Sequence, residues 1–525
     1  MKSEDYTHRS WIGALALIAV LTGLSLIPPQ RIGGVELRRA NILSELIAFD
    51  DASTAAESEP ALYDEAEFEV YLTRVAERIV ADTAPRRAPV RYDWTIGRPP
   101  GCRAGRRPDT VRCGTDIVPV EDFDTTAYGA FRRFCDTLLG AQRPVRIAVL
   151  GDSFIEGDIL TADLRERLQK AYGGGGTGFA PMASPLTAYR RSVKTQSKGW
   201  TSYNIMQRKH APEALRGSFY VSGWVCQPSA GASTRWESTD FRERLDAATA
   251  ARIFFISPAG SRVETILNDT LRREFTVEGD ASVRQIAVTA PRIGSLEFRV
   301  LSGTERFTGY GAVFEGEGVC VDNYSVRSNN GQAMFWTNPS VNAQINAMLR
   351  YDLVILQYGL NIMQQGVHAY SAYSAQIEKM IAFVRECFPD AAVLVLGVSD
   401  RSVKSDDGFV PMDAIPAMLR SQREAAERTG AAFWPTSDAM RAEGGMESFV
   451  RNGWAGKDYT HINYAGGRRV AWALADALNA AVRARCEERL AAELRRRTQE
   501  GVLDSLQLEK LHRDLLPAAV KPSLP

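Results

Sequence analysis

The sequence predicts an α/β protein: a parallel sheet interrupted by an inserted antiparallel β-sandwich and preceded by an N-terminal transmembrane helix. Three observations carry this. The run Val145-Arg146-Ile147-Ala148-Val149-Leu150, closed by Gly151, reads as a buried strand of a parallel sheet. Between about Trp200 and Cys320, short alternating runs succeed one another with no helical stretch between them. Trp11 to Pro28 is an uncharged apolar run of eighteen residues, just long enough to cross a bilayer as a helix.

That first run is preceded by Lys2 and Arg9, with Glu4 and Asp5 diluting the positive flank. It ends Leu26-Ile27-Pro28-Pro29 with no Ala-x-Ala cleavage site, so residues 1–30 read as an uncleaved anchor with the body exported. Residues 31–125 form a stalk and packing segment, Glu/Ala-rich from Asp50 to Glu67, helical near Ala76-Glu77-Arg78, then rich in Pro and Arg. The first part of the α/β domain spans 126–199. Phe131-Arg132-Arg133-Phe134 lie on a helix entering the first strand, and Leu164, Leu168 and Tyr172 lie on a second, ended by the flexible turn Gly173 to Gly176.

The β-sandwich occupies 200–320, with strands such as Arg252–Ile256, Arg262–Leu267 and Ser295–Leu301. The α/β rhythm resumes over 321–485. Leu353–Leu356 is a strand leading to Asn361, Ala372–Arg385 a helix, Val393–Val398 a strand, Ala414–Arg428 a helix, Ala431–Trp434 a strand and Ala465–Ala484 a helix. The charged tail 486–525 carries Leu at intervals and reads as a solvated or partner-binding helix.

Composition narrows the function. The chain has 525 residues, 63 basic and 63 acidic, so its formal charge is zero and an electrostatically driven nucleic-acid binder is excluded. There is no His-Glu-x-x-His pair, no Gly-x-Ser-x-Gly elbow and no phosphate-binding Gly-Lys-Ser/Thr loop, and no metal or cofactor is expected. Cys102 with Cys113, and Cys226 with Cys320, are candidate disulfides in an oxidising compartment; seven cysteines leave at least one thiol free.

The chemistry lies in three distant stretches. Gly151-Asp152-Ser153 delivers a serine to the carboxyl end of a strand, where open α/β sheets hold ligands. Asp458 and His461, spaced Asp-x-x-His, sit together on one loop. A serine hydroxyl becomes a nucleophile when an imidazole takes its proton, and a carboxylate fixes that imidazole's tautomer. Of five histidines, His8 precedes the apolar run and His512 lies in the tail, which leaves His461, with its acidic partner, as the base ahead of His210 and His368. The Ser153 N–H and the Asn361 side-chain amide are candidate oxyanion donors. Asp400 and Arg401, at another strand end, either line the pocket or form a loop salt bridge. Trp224 and Trp236 are core residues or sugar-stacking faces.

With these residues in view the chain resembles the SGNH (GDSL-type) hydrolases. Gly151-Asp152-Ser153 is similar to their first block, Gly359-Leu360-Asn361 to the third and Asp458-Tyr459-Thr460-His461 to the fourth. For the second block, counting from Asn323 puts Ser328 where relatives carry glycine, with Gly331 as a second candidate. The resemblance implies a flavodoxin-like sheet, with Ser153, Asp458 and His461 catalytic and Ser153, Ser328 and Asn361 around the oxyanion. The layout, with its inserted β-domain, resembles the periplasmic peptidoglycan O-acetylesterases over roughly residues 144–478. It implies an esterase acting on an O-acylated cell-envelope polysaccharide, held in the inner membrane by its N-terminal helix with the catalytic domain in the periplasm. One alternative is a polysaccharide O-acetyltransferase using the same acyl-enzyme and a membrane acyl-donor partner. Another is an inactive polysaccharide-binding protein.

Overall fold

A computed structural model describes residues 30–32, 35–37, 88–97, 117–126, 128–140, 143–241, 247–406 and 408–499. The chain divides into two compact units, Met1–Arg74 and Val75–Pro525. In the first, the described residues form an antiparallel strand pair, Gln30–Ile32 with Val35–Leu37.

The second unit contains a six-stranded sheet. Its order is Val319–Ser325, Val145–Gly151, Leu353–Gln357, Ala392–Leu396, Ala432–Trp434 and Glu121–Asp122. The first five are parallel and the last is an antiparallel edge. Numbered along the chain, the parallel strands lie 2-1-3-4-5, a doubly wound order. Every residue of Val145–Gly151, Leu353–Gln357 and Ala392–Leu396 is buried, because helices cover the sheet. Ala130–Gly140, Thr161–Tyr172 and Tyr464–Gln499 pack together, as do Pro339–Leu349, Ser371–Cys387 and Ile415–Thr429. Local chemistry starts Pro339–Leu349: the Asn338 side chain accepts from the N–H groups of Ser340 and Val341 at 2.9 and 3.3 Å, with Pro339 in the first turn.

The second sheet has ten strands and corrects the expected sandwich. It is one curled sheet, and its path runs Leu271–Val277, Ser261–Leu267, Ser295–Ser302, Trp224–Ser238, Thr308–Glu315, Ala250–Ser257, Asp280–Thr289 and Val90–Thr95. Gly178–Pro181 adds to the fifth of these and Val193–Asn204 to the fourth. The sheet turns at the fifteen-residue strand Trp224–Ser238, which divides its partners. One end of it pairs with Ser295–Ser302, placing Leu296 opposite Trp236, and the other meets Thr308–Glu315, where Gly309 faces Cys226. Gly231, at φ +76°, lies between these two pairings. The sheet encloses a core of Phe255, Phe298, Phe307, Phe314 and Trp236. Strands from 90–95 and 178–181, outside the expected 200–320, belong to this sheet.

Two further expectations change. Among the described residues no helix is long and apolar enough to cross a membrane. Trp11 to Pro28 lies outside the described residues, so the fold is a mixed α/β one without a membrane helix in its description. Cys226 and Cys320 are both buried and free, so they form no disulfide; Cys102 and Cys113 lie outside the described residues.

Candidate active site

Register places the site. Gly151 pairs with both Ser325 and Gln357, so three neighbouring strands end at one level. Ser153, the Arg327–Gly331 segment and Asn361 follow these three ends. A Cβ on Gly151 would lie 2.6 Å from Gln357 Oε1 and 2.9 Å from Ile155 Cδ1, so only glycine lets the chain leave the strand here.

Ser153 opens the short 3-10 turn Ser153–Asp158, capped by Asp152, whose carboxylate accepts from the Phe154 N–H at 2.9 Å. Asp152 is fully buried. Burial pushes its carboxyl up to about 7, against the pull of the Phe154 N–H, Gln357 and His461. Asn323 ties the turn to the sheet by donating to Ile155 O at 2.7 Å and Thr161 Oγ1 at 2.8 Å. Behind the turn, Asp158 is enclosed by Arg165, Arg190, Ser192 and Thr161.

The Asp458–His461 loop precedes the long helix Tyr464–Gln499. It closes through Gly456 N–H to His461 O at 2.8 Å and Tyr459 N–H to Gly456 O at 3.1 Å, with Tyr459 left-handed at φ +53°. Asp458 Oδ1 accepts from the Thr460 and His461 N–H groups, both at 3.1 Å. Its Oδ2 is 2.6 Å from His461 Nδ1, and His461 Nε2 is 3.3 Å from Ser153 Oγ. Burial raises the Asp458 pKa, but the His461 ring and the two backbone donors outweigh it and bring the carboxyl down to about 2. The Asp458 hydrogen bond raises the His461 pKa above its ordinary value, opposed by burial and by Arg327. The three residues lie in the open: the His461 and Asp458 side chains are 56% and 51% exposed.

The oxyanion candidates lie beside this chain of hydrogen bonds. Ser328 is left-handed at φ +59°, a conformation that glycine adopts freely and that costs other residues on the order of 1 kcal/mol. The next residue, Asn329, uses Oδ1 to accept from the Gly331 N–H at 2.9 Å. Gly331 instead caps the following turn, and a Cβ there would lie 2.2 Å from Met380 Sδ. The Asn361 amide nitrogen donates to Asp152 Oδ2 and to Asn329 O, both at 3.1 Å. Asn361 therefore joins the Ser153 turn to the Ser328 segment.

Asp400 and Arg401 part company. Asp400 accepts from the Met446 N–H at 2.7 Å and pairs with Arg441 at 3.4 Å, a structural salt bridge. Arg401 is half-buried in the field of Asp458 and forms no ion pair among the described residues. Trp236 is core, donating to Pro181 O at 3.2 Å. Trp224 is partly buried and lines a small cleft of about 40 Å³ with Gly157, Asp158, Asn323 and Ser325.

Two features were not anticipated from the sequence. Arg327 grips Glu156, its Nε lying 3.1 and 3.2 Å from the two carboxylate oxygens, across the edge of the site. The hairpin Ser402–Ser405/Gly408–Pro411 lies against the triad loop, with the Phe409 ring stacked on Tyr459 at 3.6 Å and 9°. Arg327 fell inside the second block, but nothing local marked Glu156 as its partner. Tyr459 lies within the fourth block, but no spacing tied it to Phe409.

No family model matches the chain, and no curated protein does. Solved structures do match. A peptidoglycan O-acetylesterase is 23% identical, with a TM-score of 0.56 over 70% of this chain and 99% of that one. A family two carbohydrate esterase from Cellvibrio japonicus is 9% identical over 47% of this chain and 88% of that one, with a TM-score of 0.19. A salicylyl-acyltransferase from a tetracycline biosynthetic pathway is 12% identical over 57% and 96%, with a TM-score of 0.24. The first likeness is one of fold, and the resemblance to the SGNH-type O-acetylesterases holds at that level; the other two TM-scores are too low to bear on the argument.

Proposed function

We propose that this chain is a serine esterase that removes O-acetyl groups from a polysaccharide. The observation that carries the reading is the continuous chain Asp458–His461–Ser153, at 2.6 and 3.3 Å. It is supported by a fold shared with a peptidoglycan O-acetylesterase. An open triad suits an ester displayed on a polymer, which approaches from the side and cannot enter a deep pocket.

In this reading Asp458 holds the His461 Nδ1–H, leaving Nε2 to accept the Ser153 proton as Oγ attacks the ester carbonyl. The oxyanion of the tetrahedral intermediate takes the N–H groups of Ser153 and Ser328, neither of which donates to a protein acceptor among the described residues. Asn361 adds its amide by releasing the Asn329 carbonyl. Collapse expels the sugar hydroxyl with the proton from His461, and water then frees acetate by the same route.

The test is acetate release from aryl acetates and from acetylated glycans, compared with Ser153→Ala. Activity retained in Ser153→Ala rejects the reading. Offering a sugar acceptor and looking for newly acetylated product separates hydrolysis from transfer.

A further inference from the structure

Arg401 immediately precedes the hairpin Ser402–Ser405/Gly408–Pro411 and Phe409 lies in its second strand, and both border the Asp458–His461 loop. In the hairpin, Ser402 faces Pro411 and Lys404 faces Phe409. Its base is fixed by the Met412 N–H on Arg401 O at 2.9 Å, and it is bound to the catalytic loop by the Ser402 N–H on Tyr459 O at 3.1 Å. Phe409 stacks one face on Tyr459 and remains 38% exposed. An apolar ring held against the residue between Asp458 and His461, and still open to solvent, is a platform for the C–H face of a pyranose.

Arg401 adds charge to that platform. Its Nε is buried without a hydrogen-bond acceptor, and no carboxylate among the described residues pairs with it. Its two terminal nitrogens are not buried and take no protein acceptor among the described residues, so an anion can reach them. Its planar fork matches a carboxylate.

Resting on the esterase reading above, we propose that this hairpin is the substrate-selecting element. Phe409 stacks on the sugar that carries the ester, and Arg401 binds a carboxylate on that sugar or its neighbour, so the preferred substrate is an acidic O-acetylated glycan.

Binding is measured first, in a Ser153→Ala background that cannot turn substrate over, with an O-acetylated polyuronate and an O-acetylated neutral xylan as probes. Adding Arg401→Gln should weaken polyuronate binding tenfold or more and xylan binding less than threefold. Adding Phe409→Ala should weaken both about tenfold. In the active enzyme, Arg401→Gln should lower the ratio of kcat/KM on polyuronate to that on an aryl acetate by tenfold or more. Equal loss on both glycans with Arg401→Gln, or unchanged binding with either variant, overturns the proposal. Because binding is read without turnover, an inactive parent enzyme rejects the esterase reading and leaves this test in force.

Discussion

Asn361 and Asp152 face each other at 3.1 Å across the ends of adjacent strands, the Asn361 amide donating to a carboxylate with no exposure to solvent. The pair fixes the base of the Ser153 turn and the orientation of the amide at once, so the geometry of one depends on the other.

Replacing Asn361 by alanine is expected to lower kcat on aryl acetates by about 10²–10³-fold, the usual effect of losing one oxyanion donor. Steady-state kinetics check this. A fall confined to KM would mean that Asn361 binds substrate without serving the transition state.

The pH profile follows from the signs of the two triad shifts. Asp458 is pulled down to about 2 and stays ionised through the useful range, while His461 is raised and keeps its proton to a higher pH than an ordinary histidine. Only the neutral ring accepts the serine proton, so the acid limb of kcat/KM should fall at a pH above about 6.5. Asp458→Asn should shift that limb toward lower pH and cut kcat by about 10⁴-fold. A limb that does not move with Asp458→Asn would assign it to another group.

Arg146 is a buried cation in the strand that leads to Ser153. It pairs with Glu315 of the curled sheet and Asp322 of the parallel sheet, and Tyr351 adds a hydrogen bond to Asp322 at 2.7 Å. Arg146→Ala takes the cation from buried Asp322 while Glu315 keeps Arg252 at 2.5 Å, and should cost about 3 kcal/mol in denaturant unfolding. A loss below about 1 kcal/mol would show that the cluster relaxes or admits water.

Cys226 and Cys320 should resist alkylation in the folded protein, because burial pushes each thiol up to about 12. Mass spectrometry after labelling with iodoacetamide, before and after denaturation, should find both unmodified at first and both modified later. Recovery of a Cys226–Cys320 linked peptide would contradict the structure.

The elements nearest the chemistry were legible because each is written locally. A strand, a glycine and a serine adjoin at 145–153, and Asp458 and His461 share one tight loop, so spacing alone brought their side chains together. Asn361 was legible as a strand-end residue, though its double bond to Asp152 and Asn329 was not. What escaped depends on partners far apart in sequence. The parallel pairing of Val90–Thr95 with Asp280–Thr289 has no local signal, and the curl follows from how the strand Trp224–Ser238 divides its partners. Alternation predicts strands with one buried face, but it does not say whether the sheet folds over itself or meets a second one.

The interleaving of the two sheets constrains how the protein is made. Val145–Gly151 finds its neighbours only in Val319–Ser325 and Leu353–Gln357, which leave the ribosome after the whole curled sheet. Until then the serine-bearing strand exposes two unpaired edges, a template for misassociation between nascent chains. Yield in a cell should therefore respond to chaperone supply during synthesis.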